Sequence, residues 1–333
     1  MNRAAGAAFW HGKSVFVTGG TGLVGSWLVK KLLAAGAHVA LLVKDTHPQS
    51  EIIRSGDINR VAITYGVLED FSALEHAINL YDVDTVFHLG AQTQVVAAHR
   101  YPLQTFEANV RGTYNLLEAC RIHPELVQRV VVASTDKAYG TQKVLPYTET
   151  TPLEARNSYD VSKSCADLIS QAYFHSYKLP VAITRFGNVY GGGDWNRSRL
   201  VPGTILSLAR SIAPVIRSDG TPLRDYIYVE DVAEAYLRLA ERLDDPQVVG
   251  QAFNFSHGKP VSVLQIVGAL RTMMNRENIE PLIQNTARGE IPEQYLDATK
   301  ARQLLGWTPR FGLDDGLRNT IAWYRDFIEE SAA

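Results

Sequence analysis

Tyr159 and Lys163 stand four residues apart in "SYDVSKSCADL" (158–168). On a helix they share one face. A lysine ammonium there can lower the phenol pKa and hold a ribose. The phenolate can then take the proton of an alcohol while a hydride leaves the same carbon. Such a pair is common by chance, and its weight comes from two other stretches. "STDKAYG" (134–140) sets Ser134, Thr135, Asp136 and Lys137 at the end of a β-rich run. "VTGGTGLVGSWLV" (17–29) sets Gly19, Gly22 and Gly25 between an apolar strand and a helical pattern. Gly19 permits a tight turn, Gly22 lets backbone approach a pyrophosphate, and Gly25 lets helix and strand pack closely. The helix start, with Leu23 and Val24 in its first turn, then faces the anion. These residues are candidate contacts of a dinucleotide.

Positioning them requires strands that end at one edge, and the chain supplies such strands. Apolar, β-rich runs at 14–19, 38–43, 60–66, 85–91, 129–135 and 181–187 alternate with helical patterns. Continuous Val, Ile and Ala runs predict strands covered on both faces, hence a Rossmann-type, doubly wound parallel α/β sheet. After about residue 190 the alternation gives way to Gly- and Pro-punctuated text. We expect residues 1–187 to form a dinucleotide-binding domain and 188–333 mainly a substrate-binding region, interleaved with the first. The second strand ends "LLVKD". An acidic residue there suits the ribose hydroxyls of NAD, and a basic one the 2′-phosphate of NADP. Lys44 and Asp45 offer both; Asp45, about 20 residues past the glycine turn, has the spacing for NAD.

The 333 residues carry 46% hydrophobic and 20% charged side chains and a formal net charge of −2. That balance gives no general attraction to nucleic acid or an anionic membrane. Two cysteines give no basis for a disulfide framework, the start shows no signal-peptide pattern, and no apolar run approaches a bilayer span. The expectation is a cytoplasmic protein. The nine histidines show no metal-ligand spacing, and His88 reads as a strand-end packing residue.

"TGGTGLVG", "HLGAQ", "ANVRGTYNLLEAC", "YDVSK", "RFGNVYG" and "RDYIYVEDVAEAY" occur in that order along nearly the whole chain. In this the sequence resembles the extended short-chain dehydrogenase/reductases, the family of nucleotide-sugar epimerases and dehydratases. The resemblance implies Leu89 and Ala91 of "HLGAQ" as further cofactor contacts, beside Tyr159 and Lys163. It implies Thr135, Asp136, Lys137, Tyr159 and Lys163 as the catalytic set. "TDK" is similar to the threonine-aspartate-glutamate of 4,6-dehydratases, with lysine in place of glutamate as in some branches. By that analogy Asp136 protonates the departing C6 hydroxyl and Lys137, in its neutral form, accepts the C5 proton. An epimerase needs neither, and Asp136 and Lys137 would then be a loop salt bridge. "TRFGNVYGGGDWNRSRLVPGTI" (184–205) is similar to the CDP-glucose 4,6-dehydratase branch more than to the dTDP-glucose branch. Asn188, Arg199, Arg224 and Arg288 fall where the family turns groups toward the nucleotide and its diphosphate.

The expected activity is thus an NAD-dependent 4,6-dehydration of a nucleotide hexose, with a 4-epimerase as the alternative. A non-catalytic nucleotide-binding protein of this fold would have no need of the Thr135, Tyr159 and Lys163 retained here. Two positions depart from the family. Val43 stands where an acidic residue is common, and Val67 of "YGVLED" where an aspartate often meets adenine. The resemblance also implies a homodimer through segments 104–122 and 159–177, whose apolar residues include Phe106, Val110, Leu117, Leu168, Ile169 and Tyr173.

Overall fold

The computed structural model describes residues 8–287 and 291–332. Arg288, one of the expected substrate contacts, lies outside them. Strands β1 (Ser14–Thr18), β2 (His38–Val43), β3 (Ala62–Tyr65), β4 (Thr85–His88), β5 (Arg129–Ala133), β6 (Val181–Phe186) and β7 (Ala252–Phe255) join in one sheet of the described residues. Its order is β7-β6-β5-β4-β1-β2-β3, and every pairing is parallel. The order reverses beside β1, between β2 and β4, which opens a crevice at the carboxyl ends of the strands.

The apolar runs are explained by two cores. Val15, Val17, Phe87 and Val131 face one, with helices α1 (Leu23–Ala34) and α6 (Val229–Glu241) above them. Phe16, Val86, Val130 and Val132 face the other, under α2 (Phe71–Leu80) and α3 (Gly112–Arg121), with part of α4 (Ser158–Tyr177) against it. Successive strand residues alternate between the two, so neither face can be polar. Strand β2 ends where the sequence pattern suggests, and the other five expected strands end one to three residues earlier, as at β4, where Leu89–Ala91 lie beyond the strand.

Residues 102–121 are helical with one π turn at Glu107–Arg111, which turns Asn109 into the interior. A third core gathers Tyr190, Tyr226 and Tyr228 with α5 (Leu200–Ala209), α7 (Val263–Met273) and α8 (Leu313–Ala332). Strand β7 lies between parts of this region in sequence yet pairs with β6, Ala252 opposite Ile183 and Phe255 opposite Phe186.

Candidate active site

The glycine turn lies in the crevice. Gly19 has φ +74°, and a Cβ there would stand 2.7 Å from the Gly90 nitrogen, so it must be glycine. A Cβ on Gly25 would collide with the Gly19 carbonyl. Helix α1 begins after Gly22 with no side-chain cap and no acidic residue in its first turn. Its free N–H groups therefore remain for an anion. Leu23 and Val24 fill that first turn and pack toward the third core, while Leu89 and Ala91 lie half-buried opposite. The Ser50 hydroxyl ties the turn from the far side, donating to the Thr21 carbonyl at 2.7 Å. Lys44 and Asp45 are both exposed just past β2. The cradle that a Cβ would fill and the uncapped helix fit a dinucleotide.

From β5 the chain passes through Ser134 and Thr135 into a single 3-10 turn, Asp136–Tyr139, with the Thr135 hydroxyl as its cap, 3.3 Å from the Lys137 nitrogen. Asp136 is buried; its Oδ1 accepts from the Thr135 hydroxyl at 3.0 Å and from Lys137 Nζ at 3.4 Å. The Lys137 side chain is 29% exposed, so the pair lies at the rim of the site with its acid inward.

Tyr159 and Lys163 occupy the first two turns of α4. Lys163 donates to the Ala133 carbonyl at 2.5 Å, at the end of β5. Burial pulls its pKa down to about 8, with Asp167 opposing the shift. Burial raises the Tyr159 pKa; Arg199 pulls it down, and Asp136 and Asp160 push it further up. Arg199 is thus one charge that favours the phenolate, while Lys163, which the spacing pairs with the phenol, donates to the Ala133 carbonyl.

Arg199 precedes α5 and pairs with the buried Asp194 at 3.1 Å. Asn188 opens a short strand, Asn188–Tyr190, and its N–H donates to the Asp225 carbonyl at 2.7 Å. Arg224 lies on the strand Leu223–Arg224 and donates to the Leu223 and Pro292 carbonyls at 2.8 and 3.3 Å. The structure thus brings Asp136, Tyr159 and Arg199 within electrostatic reach of one another. Lys44 and Asp45 stand apart, at the end of β2 on the other side of the glycine turn.

Several neighbours were not apparent from sequence. His88 is buried and bonded on both ring nitrogens, to Thr18 Oγ1 at 2.8 Å and Thr113 Oγ1 at 3.0 Å. Burial, helped by the Lys163 charge, lowers its pKa to about 3. Asn109, turned inward by the π turn, donates from Nδ2 to the Gln92 carbonyl at 3.0 Å and to Ser162 Oγ at 2.9 Å. Ser162 in turn donates to the Tyr159 carbonyl at 2.6 Å. Asp225, also buried, has its carboxyl raised to about 6 by burial, and the Asp136 charge adds to the rise. "ANVRG" and "LRD" contained Asn109 and Asp225, but only the three-dimensional neighbours give them a part.

A glycine turn at the switch point of a parallel sheet, with a tyrosine and lysine on a helix across from it, defines an extended short-chain dehydrogenase/reductase. The family model described as GDP-mannose 4,6 dehydratase matches residues 16–320, and the chain belongs to that family. The CDP-glucose 4,6-dehydratase of Salmonella typhimurium is 32% identical, over 96% of this chain and 92% of that protein. A dTDP-glucose 4,6-dehydratase from Streptomyces venezuelae, solved with NAD bound, has 27% identity and a TM-score of 0.85, covering 94% of this chain and 97% of that one. A UDP-glucose 4-epimerase from Thermotoga maritima, solved with UDP-glucose, has 28% identity and a TM-score of 0.86, covering 95% and 99%.

Proposed function

We propose that this protein is an NAD-dependent nucleotide-sugar 4,6-dehydratase, converting an NDP-hexose such as CDP-glucose to the 4-keto-6-deoxy sugar and water. The observation that carries the reading is the buried Asp136 carboxyl, bonded to Lys137 and within electrostatic reach of Tyr159. Dehydration needs an acid and a base beyond the tyrosine, and epimerisation does not. When bound, NAD supplies the acceptor for the C4 hydride and its donor to C6.

The side chains do the proton work. Tyr159, as phenolate, takes the C4 hydroxyl proton. Lys137, as free amine, takes the C5 proton, while Asp136, as acid, gives its proton to the C6 hydroxyl, which leaves as water. Lys137 then returns a proton to C5, and exchange with solvent moves the proton held by Tyr159 back to Asp136. The ion pair seen at 3.4 Å holds the same number of protons as the neutral acid and amine. One transfer along that contact converts one form to the other. Displacing water by substrate favours the neutral form, because an ion pair loses solvation more than a neutral pair does.

Residues 1–187 would bind NAD and 188–333 mainly the nucleotide sugar, with Asn188, Arg199, Arg224 and Arg288 directed to the nucleotide and Thr135 to the sugar. We further propose a cytoplasmic homodimer. Free Cys120 and Cys165 suit a reducing compartment. Tyr101, Leu103 and Leu168 are exposed on the adjoining helical segment 102–121 and α4 or just beside them. No helix of the described residues is long and apolar enough to cross a membrane.

The test is incubation with NAD and CDP-glucose, dTDP-glucose, UDP-glucose or GDP-mannose in deuterated water, followed by mass spectrometry and NMR. Loss of one water, with solvent deuterium at C5, is the expected result. An unchanged mass with inverted C4 would make the protein a 4-epimerase and leave Asp136 and Lys137 as loop structure. Net accumulation of reduced cofactor with turnover would overturn both readings.

A further inference from the structure

Behind the catalytic turn lies a buried ion pair that the reaction as written does not use. Arg185 of β6 and Asp167 of α4 are 2% and 0% exposed. They meet as a fork, Nε to Oδ2 at 2.8 Å and Nη2 to Oδ1 at 2.9 Å. The third guanidinium nitrogen, Nη1, donates to the Tyr139 hydroxyl at 2.8 Å. Tyr139 ends the turn that carries Asp136 and Lys137, and its hydroxyl donates onward to Asn254 Oδ1 of β7 at 2.7 Å. Asn254 continues to the Tyr147 carbonyl at 3.0 Å, and the Tyr147 hydroxyl returns to the Gly140 carbonyl at 3.1 Å.

A buried ion pair is a poor source of stability, since desolvation of both charges offsets their attraction. What a fork of fixed geometry gives is position. We propose that Arg185 and Asp167, acting through Tyr139, are positioning residues that hold the Asp136–Lys137 turn against α4, and that they serve the elimination of water and not the oxidation at C4. This rests on the dehydratase reading above.

The division follows from where each group is anchored. The strut reaches the turn at Tyr139, and the Tyr147 hydroxyl reaches it at Gly140. Tyr159 and Lys163 are held elsewhere, by Ser162 at the Tyr159 carbonyl and by the Ala133 carbonyl at Lys163 Nζ. The turn is also tied by Gln294 Nε2 at the Asp136 carbonyl, 3.2 Å, and by Ser164 Oγ at the Ala138 carbonyl, 3.1 Å. Loosening Tyr139 leaves those bonds and the oxidising pair in place, and gives the acid and base of elimination more play.

Replacing Arg185 or Asp167 singly would strand a buried charge and threaten the fold, so the strut is best cut at its neutral joint. Tyr139→Phe removes one hydroxyl and keeps the ring; Asn254→Ala removes the acceptor on the other side. Each is mixed with NAD and CDP-glucose in a single turnover, in deuterated water, with thermal melting alongside. The appearance of reduced cofactor reports oxidation, and water loss with deuterium at C5 reports elimination. We expect oxidation within about threefold of wild type and elimination slowed by about ten- to hundredfold, the size of effect that small misplacement of a reacting group produces. Reduced cofactor should then build up in the variants. Both phases unchanged, or both slowed in proportion to a fall in melting temperature, would overturn the positioning role while wild type still dehydrates. Wild type that loses no water from any of the four nucleotide hexoses would overturn the dehydratase reading and this inference with it.

Discussion

At His88 the direction of each hydrogen bond fixes the ring. Thr113 spends its hydroxyl proton on the Asn109 carbonyl at 2.6 Å, so toward His88 Nε2 it can only accept. Nε2 therefore carries the proton, and Nδ1 accepts from Thr18, whose oxygen in turn accepts from the Gly90 nitrogen at 3.1 Å. A second ring proton at Nδ1 would oblige Thr18 to withdraw its own proton and accept from the ring as well as from Gly90. Burial, helped by the Lys163 charge, depresses the folded-state pKa to about 3 from 6.5. Unfolded chain binds a proton below 6.5 and folded chain does not, so the contribution is complete above 6.5 and is lost as pH falls toward 3. Between pH 7 and 5, His88→Gln should lose stability more slowly than wild type, by roughly 1.4 kcal/mol per pH unit once below 6.5. Urea unfolding at stepped pH reads this directly, and parallel curves would show that His88 does not carry this pH dependence. Tyr159→Phe removes a proton acceptor and almost no volume. Its fold and NAD binding should persist while turnover drops about 10²- to 10⁴-fold; a drop of a few-fold would give the proton to another group. Sequence made Tyr159, Lys163 and Asp136 visible because their types and spacing are unusual together. It could not show that Arg199 bears on the phenol, since only the fold brings residue 199 within electrostatic reach of residue 159.

The glycine turn and the helix that follows it behave as one element, and glycines that look alike in sequence differ in consequence. Gly25→Ala would drive a methyl into the Gly19 carbonyl. It should cost about 1–3 kcal/mol of stability, the usual scale of overpacking, and weaken NAD binding, as measured by melting and cofactor titration. Gly268 of α7 has open space at its Cβ position and no positive φ. Gly268→Ala should raise stability by up to about 1 kcal/mol, the helix-propensity difference. Were both substitutions equally harmful, the close approach at Gly25 would not be the reason for its glycine. The strands were legible because burial on both faces leaves an unbroken apolar run. The π turn at Glu107–Arg111 was not, because it depends on where Asn109 must reach to meet Gln92 and Ser162. Helical periodicity across 104–121 looked continuous, and one extra residue in a turn barely disturbs it.

At the scale of the whole molecule, the exposed apolar residues beside and on the 102–121 segment and α4 are the part still to be accounted for. Leu117, expected at an interface, is fully buried in the subunit core, whereas Leu168 is 54% exposed. Light scattering at micromolar concentration should give twice the 36.8 kDa of one chain. Leu168→Arg should shift it toward one chain without unfolding; a wild-type mass of one chain would end the dimer proposal. The other property of the whole lies in β7. No local pattern in "AFNF" told that it closes the sheet, because its partner β6 lies far upstream and only the fold brings them together. That pairing has a consequence for how the chain reaches its shape. Every residue of β6 is buried, and until β7 arrives the backbone edge of β6 on that side has no partner. The first half of the sheet can form early from neighbouring βαβ units, but its last strand must wait for the tyrosine-rich region to be made. An unpaired inner strand of this kind is a template for association with other chains. Synthesis arrested ahead of Ala252 would therefore leave not a smaller working domain but a sticky intermediate, one that completes itself only when the strand Ala252–Phe255 has been threaded into place.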